Sequence, residues 1–125
     1  MNQHLPKVLI ADDEVKFAEA VAEYLTLERY TVLLAFTGSQ ALELIFREQP
    51  DLLILDLKLP DVPTEEILDR LRTASPKTPV IIVTAYHDGG VKEGLIRASG
   101  IAGYLYKPLA SLAALGEAVR GALRA

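Results

Sequence analysis

The sequence predicts one α/β domain, a five-stranded parallel sheet with helices on both faces. Two observations lead there. Val8-Leu9-Ile10-Ala11, Leu52-Leu53-Ile54-Leu55 and Val80-Ile81-Ile82-Val83 are unbroken aliphatic runs. Runs that short and that apolar read as strands buried on both faces, as parallel sheets bury them. They also alternate with stretches of helical period, and strand–helix–strand alternation builds a parallel sheet with right-handed crossovers. The 125 residues fit one domain, expected over 1–125, and are enough to bury a core without disulfides.

Taken in order, residues 7–11 are the first strand, and Asp12-Asp13-Glu14 follows at its carboxyl tip. Residues 15–28 have Phe17, Val21, Tyr24 and Leu25 near helical spacing. Residues 30–35 are rich in β-branched and aliphatic side chains and read as a strand. Thr37 and Gln40 have capping-box spacing and open a helix through Glu48, with Ala41, Leu44 and Ile45 inward and Pro50 past its end. The run 52–55 is the third strand and leads into Asp56. A loop over 57–63 carries two prolines, and 64–72 packs as a helix through Ile67, Leu68 and Leu71.

Pro76 and Pro79 bound a turn before the strand 80–83, which runs into Thr84. Residues 89–99 make a poor helix, because Gly89, Gly90 and Gly94 each cost roughly 1 kcal/mol against Ala. Such low-stability segments are where rearrangement is expected. Residues 102–106 are the last strand and meet Lys107-Pro108. Residues 111–124 close as a helix with Leu112, Leu115, Val119 and Leu123 on one stripe.

Composition narrows function. The net charge of −4 argues against a direct grip on nucleic acid or anionic membrane by this domain. Without cysteine there is no disulfide framework and no thiolate metal site. No apolar run approaches the ~20 residues of a membrane span, and residues 1–7 lack an apolar signal region, so a cytoplasmic location is expected.

The chemistry gathers at strand ends. Asp12-Asp13, Asp56 and Thr84 end the doubly buried strands, and Lys107 ends the fifth. Carboxyl ends of parallel strands share one edge, the edge where open α/β sheets bind ligands. Carboxylates packed together raise one another's pKa unless a cation intervenes. Lys107 is one source of positive charge and a hard divalent ion is the other. Mg2+ suits an all-oxygen site, and no histidine cluster exists for a softer metal. A carboxylate can attack phosphorus to form an acyl phosphate, with metal and lysine neutralising the oxygens. Asp56 is assigned as the nucleophile because it ends the central run with open space expected around it. Thr84 offers a hydroxyl to a phosphoryl oxygen.

These residues carry a resemblance. Asp12-Asp13 after Val8-Leu9-Ile10-Ala11, Asp56 with Leu59-Pro60 after it, Thr84-Ala85, and Lys107-Pro108 with Tyr104 three before the lysine resemble the receiver domain of a two-component response regulator, chemotaxis regulators included. The resemblance covers the chain end to end and implies the flavodoxin-like strand order 2-1-3-4-5. It implies that Asp56 is the phosphoacceptor and that Asp12, Asp13, Asp56 and the backbone carbonyl of Lys58 hold Mg2+. Thr84 and Lys107 then contact the phosphoryl group, Tyr104 is the switch aromatic, and Lys107-Pro108 is a cis peptide. The implied donor is a sensor histidine kinase or a phosphotransfer protein. The implied output is an effector domain or target protein reading the face of the fourth helix, fifth strand and fifth helix, a face that also allows a homodimer. Phosphotransfer and dephosphorylation are self-catalysed in such a domain, which is not a turnover enzyme. Two positions depart from the family: Thr64 stands where most members have Gly, and Pro63 precedes it, so a stiffer or rerouted loop is expected. Tyr86 flanks the family's route for hydrolytic water and is expected to slow phosphoryl loss.

Other classes fit less well. A Mg2+-dependent aspartyl-phosphate phosphatase or phosphotransferase typically carries a second acid two residues after the nucleophile, and here that residue is Lys58. A flavin or nucleotide module needs a Gly-rich or Ser/Thr-rich phosphate loop after the first strand, and Asp12-Asp13-Glu14 has the opposite charge. A degenerate receiver acting only as a binding module would have lost some of the acceptor, acidic pair, Thr84 and Lys107, and all are present.

Overall fold

In a computed structural model of the chain, residues 4–85 and 101–124 are described. The strands are β1 (Lys7–Ala11), β2 (Thr31–Ala35), β3 (Leu52–Leu55), β4 (Val80–Thr84) and β5 (Gly103–Tyr106). The helices are α1 (Val15–Leu27), α2 (Gly38–Glu48), α3 (Thr64–Ala74) and a C-terminal helix (Leu112–Arg124). All strands are parallel, in the order β2-β1-β3-β4-β5. The fold class and strand order are those expected. The helix expected over 89–99, with its glycines, and Tyr86 lie outside the described residues.

Strand alternation divides the core into two layers. Leu9, Leu53, Leu55 and Ile82 face α2 and α3, where they meet Ala41, Ile45, Ile67 and Leu71. Val8, Ile10, Leu52, Ile54, Ile81 and Val83 face the opposite way, against Ala18, Val21, Leu25, Leu115 and Val119 of α1 and the C-terminal helix. Each central strand is apolar at successive positions because both of its faces are covered.

Element ends differ from expectation by one or two residues, for local reasons. Chain reversal after α1 uses Arg29 at φ 73°, so β2 begins at Thr31 and not Tyr30. Helix α3 extends to Ala74 and stops at Ser75, the residue that Pro76 bars from helical geometry. Gln49 ends α2 in the left-handed region at φ 49° and donates its side-chain amide to the Ile45 and Phe46 carbonyls. At the other end of α2, Thr37 accepts from the Gln40 amide at 3.0 Å. The return bond from Gln40 goes to the Phe36 amide, at 2.8 Å, one residue earlier than in a reciprocal capping box.

Candidate functional site

Backbone bonds carry the sheet ladder one residue past the strands and so bring the site together. The Asp12 amide donates to the Ala35 carbonyl, the Asp56 amide to Ala11, and the Lys107 amide to Thr84, at 3.0, 3.0 and 2.9 Å. Asp12, Asp56 and Lys107 are thereby fixed at one edge, on β1, β3 and β5. Thr84 belongs to β4, whose last register pair is Thr84 with Tyr106.

Asp56 is 4% exposed, so the open space expected around it is not found. Its carboxylate is instead held by donors. Oδ1 accepts from the Lys58 amide at 2.9 Å and from the Thr84 hydroxyl at 3.0 Å. Oδ2 accepts from Lys107 Nζ at 3.0 Å. Burying a carboxylate is tolerable only with such partners.

Lys107 is the hub of the charge pattern. Its side chain is 8% exposed, and Nζ also reaches Asp12 Oδ2 at 2.8 Å and Glu14 Oε1 at 2.5 Å. The Phe17 ring lies 4.4 Å from Nζ, close enough for a cation–π contact. Burial alone would lower the lysine pKa, but the bonds to Asp12, Glu14 and Asp56 outweigh it and raise the pKa above the usual lysine range. For Asp12 the balance runs the other way. Burial pushes its carboxyl up to about 6, and the nearby Asp56 charge adds to the rise, against the lowering effect of Lys107 and the Glu14 amide.

One oxygen from each of Asp12, Asp13 and Asp56 lies within 4.8 Å of the others. Asp12 and Asp56 are buried and Asp13 is exposed. An all-carboxylate set open to water on one side fits a hard divalent ion that keeps part of its hydration, as Mg2+ does.

Three further expectations fall on described residues. Lys107-Pro108 is cis. Tyr104 is partly buried against the core layer of α2 and α3, with its ring 4.9 Å from that of Tyr106. Thr64 is 6% exposed and its hydroxyl donates to the Leu57 carbonyl at 3.4 Å, so the Thr at this position ties the loop to its own start.

Residues 8–120 match the family model for the response regulator receiver domain. The chain belongs to that family. Among curated relatives, this receiver domain is 39% identical over 80 residues to sporulation initiation phosphotransferase F of Bacillus subtilis, covering 64% of each chain. It is 36% identical over 118 residues to the transcriptional regulatory protein TrcR of Mycobacterium tuberculosis, covering 94% of this chain and 45% of that protein. Across such relatives the receiver spans between 33% and 64% of the relative's length. Among solved structures, a CheY-like receiver domain from Methanospirillum hungatei superposes with a TM-score of 0.87 at 28% identity, covering 96% of this chain and 94% of that one. A Francisella response regulator receiver domain superposes with a TM-score of 0.81 at 33% identity, covering 95% and 97%. As a two-component receiver, the domain is a signalling module. No helix among the described residues is long and apolar enough to cross a membrane.

Two contributors were not singled out from sequence. Glu14 was read only as part of an acidic tip, yet it is a third carboxylate on Lys107. Its adjacency to Asp12-Asp13 was the available signal. Asp61 falls within the loop expected over 57–63, and its carboxylate accepts from the Gly38 and Ser39 amides. No local pattern announces a bond across that many residues.

Proposed function

We propose that residues 1–125 form one phosphoacceptor switch in which Asp56 takes a phosphoryl group from a histidine kinase or a phosphotransfer protein. The observation that carries this reading is the Asp56 carboxylate itself, buried at the tip of β3 and held by Thr84, Lys107 and the Lys58 amide beside two further acids. Asp56 attacks phosphorus, the bond from phosphorus to the donor's imidazole nitrogen breaks, and the imidazole departs with the electron pair. Asp12, Asp13, Asp56 and the Lys58 carbonyl would hold Mg2+, which supplies charge neutralisation of the phosphoryl oxygens when bound. The Thr84 hydroxyl and the Lys107 ammonium, now on Asp56 oxygens, are in reach of the oxygens that the new group brings.

The phosphoryl dianion is the larger and more negative partner, so it biases Thr84 and Lys107 towards the site. Tyr104, two strand positions before Tyr106, then rearranges with the Thr84 displacement and changes the face containing β5 and the C-terminal helix. That face signals to an effector domain or a separate target, and a homodimer through it is one form of output. The name of the Mycobacterium tuberculosis relative supports transcriptional output, and that of the Bacillus subtilis relative supports a relay to another protein. Lys58 in place of a second acid argues against a turnover phosphatase.

The test is chemical trapping. Protein treated with phosphoramidate and Mg2+, then reduced with borohydride, should yield homoserine at position 56 in a peptide mass map. Homoserine at another aspartate, or at none, would refute Asp56 as acceptor.

A further inference from the structure

We propose that Asp61 is a positioning residue of the phosphoryl site, locking the loop after Asp56 onto the N-terminus of α2 and so setting where Lys58 presents its backbone. This rests on the phosphoacceptor reading and extends it to a residue outside the acidic cluster. Asp61 Oδ1 accepts from the Gly38 amide at 2.7 Å and Oδ2 from the Ser39 amide at 3.0 Å. Thr37 takes the next amide, that of Gln40. The first three amides of α2 are therefore satisfied, two of them by a residue of another loop. The helix dipole favours a carboxylate at that end.

The fit is close on both sides. A Cβ built on Gly38 would lie 2.6 Å from Val62 Cβ and 3.0 Å from Asp61 Oδ1. Only glycine lets the loop approach α2 this nearly. Helix α2 is itself a firm base, with Ala41 and Ile45 fully buried in the core. The near end of the loop is closed by the Thr64 hydroxyl on the Leu57 carbonyl, and Leu59 is buried beneath it. Lys58 lies between these fixed points, its amide on Asp56 Oδ1. Its carbonyl, the proposed metal ligand, follows the same short stretch of backbone. With Asp61 removed, the tie between that backbone and the N-terminus of α2 is gone.

The experiment is calorimetric titration of the whole chain with MgCl2, in wild type, Asp61→Ala, Asp61→Asn and Thr78→Val. Thr78 bonds the Pro50 carbonyl at the opposite end of the sheet, so it controls for lost stability alone. Loss of an outer partner of a metal site typically weakens binding 10–100-fold, and Asp61 acts one step further out, so Asp61→Ala should weaken Mg2+ binding about three- to tenfold. Asp61→Asn keeps one acceptor oxygen and should fall between it and wild type. Thr78→Val should match wild type. With phosphoramidate, the Mg2+ concentration for half-maximal rate should rise in Asp61→Ala while the rate at saturating Mg2+ stays near wild type. An Asp61→Ala constant equal to wild type, or a Thr78→Val constant weakened equally, would overturn the positioning role and leave the acceptor reading intact. Wild type failing to bind Mg2+ would overturn both.

Discussion

Lys107 serves three carboxylates with one charge, and the enclosure that brings them together bears most heavily on Asp12. Asp12 carries the consequence, with its carboxyl raised from an ordinary 3.8 to about 6, chiefly by burial. A carboxyl whose folded pKa exceeds its unfolded one stabilises the fold below the unfolded value and loses that contribution as pH rises through the folded value. Asp12→Asn should therefore stabilise the metal-free protein at pH 7 by about 1–3 kcal/mol, from the 1.36 kcal/mol carried by each pKa unit. The gain should be near zero at pH 4, grow up to about pH 6 and then level off. Denaturant unfolding in EDTA at several pH values measures it; a gain independent of pH would show that the Asp12 charge is not its source. At this scale the sequence was informative wherever a residue ends a strand. Asp12, Asp56, Thr84 and Lys107 were legible because the parallel sheet fixes where strand ends point. Glu14 and Phe17 were not, because their contacts with Lys107 depend on how α1 is rotated against β5.

At the scale of elements, two of the helical glycines, Gly38 and Gly121, should respond in opposite directions. Gly38 begins α2 against Val62, and an added methyl would lie 2.6 Å from the Val62 Cβ. Overpacking of this kind costs about 1–3 kcal/mol, so Gly38→Ala should lower stability by that amount. Gly121 sits in the C-terminal helix with nothing within 4 Å of the same methyl. Gly121→Ala should raise stability by about 0.5–1 kcal/mol, through helix propensity and a less free unfolded chain. Urea titration of both variants checks the pair, and equal signs would contradict the packing described for α2. Among the described residues, the element types and most boundaries followed from period, capping and proline. The junction between α2 and the loop after Asp56 did not, because it joins segments far apart in sequence through two backbone amides. Thr64 illustrates the same limit: its departure from the family pattern was visible, but its bond to Leu57 required the fold.

At the scale of the whole molecule, the parallel sheet does one thing for function: it carries residues separated by as many as 95 positions, Asp12 to Lys107, to contact at 2.8 Å. Alternation of strand and helix made the parallel sheet legible. The order β2-β1-β3-β4-β5 was not legible in the strands themselves, since each central strand is aliphatic on both faces and any of them could neighbour any other. That order came from resemblance, and the register pairs agree with it. The central claim is that this assembly accepts a phosphoryl group on Asp56 with Mg2+. Intact mass after incubation with acetyl phosphate, with and without Mg2+, on wild type and Asp56→Asn, tests it most directly. A gain of one phosphoryl group in wild type, dependent on Mg2+ and absent in Asp56→Asn, is the predicted result. No gain in wild type, or an equal gain in Asp56→Asn, would contradict it.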